Sequence, residues 1–154
     1  MSTLNLELEG DTHIVVTRRF AASPVAVYRA HTDPKLLQKW LLGPEGWTMP
    51  VCINDARPGG AFRYEWKNGT GKGFHVTGEF VELVPHSKIV HVERMFLPER
   101  TPDNHVETRF DLDGKGTLLT VRMTLPDANT RAAMVSSGME RGMEASYARL
   151  ESMM

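Results

Sequence analysis

The side chains able to do chemistry are few in this sequence, and their spacing limits what each can do. Six histidines invite a metal site. His75, His91 and His105 fall on three consecutive strand-like segments, with His75 near Leu97, His105 near Phe96 and His91 farther along its strand. The outer two are then two strand spacings apart, roughly 10 Å. Zinc holds its ligands at about 2.0–2.1 Å, and no other Cys or His pair has ligand spacing, so no metal or other cofactor is expected. Ser136-Ser137 lack the G-x-S-x-G context of an activated serine. Cys52 lies mid-strand with no histidine assigned beside it and reads as a small core residue. Pro58-Gly59-Gly60 is a turn rather than a phosphate loop, and Asp55 and Arg63 across it read as a structural pair. No catalytic constellation emerges. Trp40 and Trp47 flank a Gly-Pro loop, where they either seal one end of the core or gate a ligand or partner site.

The elements that would position these residues are well punctuated. With 154 residues the chain suits a single domain, 1–154, with 1–10 as a loosely ordered or edge segment. A net charge of -1 with mixed signs gives no footprint for nucleic acid. No apolar run approaches membrane-spanning length, the N-terminus is acidic rather than signal-like, and a lone cysteine suits a reducing, cytoplasmic setting. His13–Phe20 alternates like a strand. Ser23-Pro24 and Asp33-Pro34 are helix starts, each a capping side chain followed by proline at the first helical position. Six strand-like segments follow, separated by turns such as Asn68-Gly69-Thr70-Gly71, Pro85-His86-Ser87 and Asp113-Gly114-Lys115-Gly116. From Ala128 onward the pattern is helical, with Val135, Met139, Met143, Tyr147 and Leu150 on one stripe.

Turn positions set the register. Pairing Val84 with Lys88, Lys67 with Gly73 and Phe96 with Val106 places Phe62, Tyr64, Trp66, Phe80, Phe110 and Met123 on one apolar face. His91, Glu93, Arg109 and Asp111 then fall on the opposite, solvated face, with Glu93 against Arg109 and His91 against Asp111. The apolar face needs a cover, which the stripe of Met139, Met143 and Tyr147 can supply. Arg94 breaks the pattern, because this register puts it on the apolar face. It either snorkels or pairs with a loop carboxylate such as Asp33 or Glu45, or it anchors an anion or carbonyl of a ligand. A shift of one residue at the turn would place it outside.

Several motifs run through the chain. They are Arg18, Phe20, Pro24, Val27, Tyr28, Ala30, Thr32-Asp33-Pro34, Leu37, Trp40 and Gly43-Pro44; then Asp55, Arg57, Gly59-Gly60 and Phe62-Arg63; then Gly78, Glu82 and Pro85; and finally Gly138-Met139 and Gly142-Met143, with methionine where tryptophan is usual. Together they resemble the START-related SRPBCC domains, and more narrowly the AHSA-type branch, similar to the C-terminal domain of activators of the heat-shock protein 90 ATPase. The resemblance implies an α+β helix-grip fold, a curved antiparallel sheet of about seven strands wrapped on a long C-terminal helix. It further implies a cavity that binds a small hydrophobic or amphipathic molecule. Trp40, Trp47, Phe62, Tyr64, Trp66, Phe80, Phe110, Met123, Met139, Met143 and Tyr147 would line that cavity, with Arg94 as its polar handle. The alternatives are a module that binds a chaperone or another protein, and a polyketide cyclase- or dehydratase-like enzyme drawing on Arg94, His31 or Asp33. A monomer or a homodimer suits each of these readings.

Overall fold

A computed structural model describes residues 3–154 of the chain. It contains one unclosed, curved antiparallel sheet of eight strands. In chain order these are β1 (Asn5–Glu9), β2 (His13–Phe20), β3 (Trp47–Asn54), β4 (Ala61–Asn68), β5 (Gly73–Val84), β6 (Lys88–Phe96), β7 (Asn104–Asp113) and β8 (Gly116–Thr124). Their spatial order is β1-β2-β8-β7-β6-β5-β4-β3, so every step but β2-β8 joins strands adjacent in sequence. The strand beyond the expected seven is β1, which pairs along β2 at the sheet edge. Residues 1 and 2 of that segment lie outside the described residues.

Two short helices separate β2 from β3: α1 (Pro24–Thr32) and α2 (Pro34–Trp40). Each begins on the expected signal. The Ser23 hydroxyl accepts from the Ala26 N–H at 3.3 Å and the Asp33 carboxylate from the Lys35 N–H at 2.9 Å, with proline next in both. The C-terminal helical pattern is not continuous. It divides into α3 (Ala128–Ser136) and α4 (Met139–Ser152), because Gly138 takes a left-handed conformation at φ 88°. Glycine alone adopts that conformation at little steric cost, and it ends one helix and re-aims the next.

The apolar sheet face, α1, α2 and α4 enclose a core around Ile14, Val16, Trp40, Leu119 and Leu150. One buried cation ties α4 to the sheet. Arg18, 4% exposed, donates through Nε and Nη2 to the Glu144 carboxylate at 3.0 and 3.2 Å. The same carboxylate accepts from the Leu4 N–H, so one side chain of α4 holds β2 and the residue just before β1. A buried guanidinium is tolerable only with such a partner.

The expected registers hold for β4–β5 and at the β5–β6 turn, where Lys67 faces Gly73, Tyr64 faces Val76 and Val84 faces Lys88. They fail farther along β5–β6. A bulge at Val81 lies between the pairs Phe80–His91 and Glu82–Val90, and beyond it Gly78 faces Glu93 instead of Arg94. One extra residue on one strand reverses which faces meet. The β6–β7 register shifts too: Glu93 faces Asn104 and His91 faces Val106, so the expected pairs of Glu93 with Arg109 and His91 with Asp111 do not form.

Candidate functional site

A cavity of about 590 Å³ lies between the apolar face of the sheet and the helices α2 and α4. Its walls are mostly aromatic and thioether groups: Phe62, Tyr64, Trp66 and Phe74 from the sheet, and Met139, Met143 and Tyr147 from α4. Exposed Pro44, Leu97, Ser137 and Gly138 mark its opening. Gly142 faces the space from α4, and a β-carbon added there would meet nothing within 4 Å. Gly78 is the opposite case, since a β-carbon would sit 2.2 Å from the Phe62 ring and 2.3 Å from the Val92 carbonyl oxygen. Phe62 therefore lies over a glycine, and the adjacent position on β6 is left open to the cavity.

That position is Glu93. Because of the bulge, β6 sends Ile89, His91, Glu93 and Met95 into the cavity. His91 Nε2 donates to Glu93 Oε1 at 2.6 Å, and Glu93 Oε2 has no protein donor among the described residues. A second imidazole, His31 of α1, also lines the space, between Trp40 and Phe110. Its Nδ1 lies 2.8 Å from the Val27 carbonyl oxygen. A carbonyl only accepts, so Nδ1 carries the proton and Nε2 is left as an acceptor. Burial is the main reason that the His31 pKa falls to about 4, and the nearby His91 adds to it, so the ring is neutral at neutral pH. Opposite Glu93 on β7, Asn104 is 3% exposed, and neither its amide nitrogen nor its amide oxygen meets a partner.

The donors on the cavity's large rings are mostly committed elsewhere. Trp40 Nε1 donates to the Ala30 carbonyl at 2.9 Å and Trp66 Nε1 to the Leu41 carbonyl at 2.7 Å. The Tyr64 hydroxyl donates to Asn54 Oδ1, and Asn54 Nδ2 donates to the Thr32 carbonyl at 2.8 Å, linking β4, β3 and α1. Burial pushes the Tyr64 and Tyr147 hydroxyls above the usual phenol range, so both remain protonated. Cys52, half-buried opposite Tyr64, is pushed up to about 11 by burial and by Asp33, and is an unreactive thiol.

Of the residues expected at a ligand site, Trp40, Trp47, Phe62, Tyr64, Trp66 and Phe80 border the cavity, as do Met123, Met139, Met143 and Tyr147. Trp40 is buried, stacking on Tyr147 at 6.0 Å, whereas Trp47 stands half-exposed against Phe74. Phe110 is instead packed under α1, edge-on to Tyr28 and His31. Arg94 is on the far face of the sheet. It makes a two-pronged pair with Glu79 at 2.7 and 2.8 Å and donates to Asp103 at 2.8 Å. The bulge at Val81 is the physical reason, and the polar groups that take Arg94's expected place are His91 and Glu93. Of the three histidines weighed as metal ligands, His91 faces inward, His75 stacks on Phe96 and His105 is exposed. Among the described residues no group of three His, Cys, Asp or Glu side chains can hold a metal ion. No helix there is long and apolar enough to cross a membrane.

A curved sheet closed by a C-terminal helix over a cavity defines a helix-grip module, and comparison with known proteins assigns the family. Residues 21–154 match the family described as "Activator of Hsp90 ATPase homolog 1-like protein", and the chain belongs to it. The chain is similar in structure to a protein from Rhodobacter sphaeroides, with a TM-score of 0.92 and 27% identity over 98% of this chain and 97% of that one. It also resembles protein CV1439 from Chromobacterium violaceum, with a TM-score of 0.78 and 29% identity over 92% of this chain and 96% of that one. An AHSA1-like protein from Aeromonas hydrophila shares the fold at 18% identity, with a TM-score of 0.76 over 91% and 92% of the two chains. No curated protein matches the chain.

Proposed function

We propose that this protein binds a small, mainly apolar molecule in the cavity between sheet and α4. The observation that carries the reading is the cavity itself. A space of about 590 Å³ lined by aromatic rings and methionines, with a few polar groups at one place, has the size and composition of a small-molecule site. In this reading Phe62, Tyr64, Trp66, Met123, Met139 and Met143 grip the apolar body, and Trp47 stands at the mouth. The thioethers adapt to the ligand's outline at low cost. The test is titration with the neutral fluorescent probe N-phenyl-1-naphthylamine, alongside native mass spectrometry of protein purified from its own host. Binding is expected in the wild type and loss of it in Gly142→Leu, whose side chain enters the open space. A probe that binds both equally would place the ligand elsewhere.

The His91–Glu93 pair favours a second reading, proton transfer on a bound carbonyl compound. Glu93 would remove the proton next to the carbonyl and return it to the same carbon, so the net observable is exchange with solvent. Incorporation of solvent deuterium into a bound ketone, abolished in Glu93→Gln, is the expected result. Exchange no faster than in buffer alone would remove this reading and leave the first intact.

A further inference from the structure

We infer that the cavity selects a ligand whose polar end donates hydrogen bonds, a hydroxyl, phenol or amine on an apolar body, and that it excludes carboxylates and other anions. This deepens, and rests on, the reading of the cavity as a ligand site.

Among the described residues no lysine or arginine lines the space. The arginines of the nearby strands are occupied on the outer face: Arg63 with Glu65, Arg94 with Glu79 and Asp103, Arg109 with Glu107, and Arg122 with Glu9. Arg18, the one that points inward from β2, is bound to Glu144. Arg149 of α4 donates to the Trp40 and Gly43 carbonyls behind the loop. The ionisable groups that do face the cavity are His31, His91 and Glu93, together with the phenols Tyr64 and Tyr147.

The unused positions of Glu93 and His31 are acceptors. Glu93 Oε1 is taken by His91, which leaves Oε2 to receive a donor. His31 spends its proton on the Val27 carbonyl and offers Nε2. The indoles of Trp40 and Trp66 and the Tyr64 hydroxyl have committed their hydrogens to the protein, while the Trp47 indole stands at the mouth, away from Glu93's strand. Thr108, Ser146 and Tyr147 contribute hydroxyl dipoles but no positive charge. A carboxylate ligand would bring a second acceptor-only anion beside Glu93 with no lysine or arginine to offset its loss of water. A hydroxyl or ammonium would satisfy Oε2 and, in the ammonium's case, lie among aromatic faces that favour cations.

A matched series decides the point: 1-decanol, decylamine and decanoate, each competing with N-phenyl-1-naphthylamine at pH 8. The alcohol and the amine are expected to bind at least ~10-fold tighter than the carboxylate, the scale of one hydrogen bond to a charged group. Glu93→Gln, checked for folding by circular dichroism, is expected to cut the preference for amine over carboxylate by about 10-fold, while Glu107→Gln on the outer face leaves it unchanged. The wild-type series stands alone if Glu93→Gln does not fold. Decanoate competing within about 3-fold of decanol would overturn the ligand class and leave the cavity reading standing. Failure of the probe to bind the wild type at all would take down both.

Discussion

His31 shows how one side chain of the cavity wall links the site to the stability of the fold. Its ring is held neutral among Trp40, Phe110 and the Val27 carbonyl, and its pKa falls from 6.5 to about 4. The unfolded chain therefore binds a proton below about pH 6.5 that the folded chain refuses until about pH 4. Stability is complete above the upper value and falls as the pH drops through the window between the two. The expected loss is on the order of 2–3 kcal/mol by the linkage between pKa shift and stability. Chemical denaturation of the wild type and of His31→Asn at pH 7.5, 5.5 and 4.5 checks this. The variant's curve should be flatter across the window, and parallel curves would mean that other groups set the pH dependence.

At the scale of elements, Gly142 on the cavity wall and Gly78 beneath the Phe62 ring make opposite predictions. Gly142→Ala adds a methyl to open space on a helix and should stabilise by about 0.5–1 kcal/mol. Gly78→Ala drives a methyl into the Phe62 ring and the Val92 carbonyl, one of which is backbone, and should destabilise by roughly 3 kcal/mol. Urea unfolding midpoints of the two variants distinguish them. Elements with capping or turn chemistry were readable in the sequence: α1 and α2 from Ser23-Pro24 and Asp33-Pro34, and the β4–β5 hairpin from Asn68-Gly69. The orientation of β6 was not. Val90, Val92 and Phe96 make one side of that strand the more apolar, yet the side bearing His91 and Glu93 faces the cavity. The bulge responsible falls on Val81, a residue type that strands favour, so nothing local marks it. The same blindness placed Arg94 inside and hid the polar end of the site. The break at Gly138 had a signal in the glycine itself, but the apolar stripe continued across it.

For the whole molecule, a ligand that enters only the folded state must raise the melting temperature. At a free concentration about 100 times its Kd, the gain is about 2.7 kcal/mol. For a chain of 154 residues this corresponds to a shift of roughly 5–10 °C. Differential scanning fluorimetry with decanol and decanoate should show this shift for the first and little for the second. Equal shifts would count against the ligand class argued above.

The bulge at Val81 has one more consequence. Strand β6 carries two alternative sets of side chains, one with a carboxylate and an imidazole, the other with a guanidinium, and a single unpaired residue on the neighbouring strand chooses between them. The electrical sign of the interior is thus decided by chain length in β5, at a position exposed to water and touching no ligand. A relative one residue shorter there, with the rest of the hairpin unchanged, would turn Arg94 inward in place of His91 and Glu93 and become a receptor for anions without a substitution in β6.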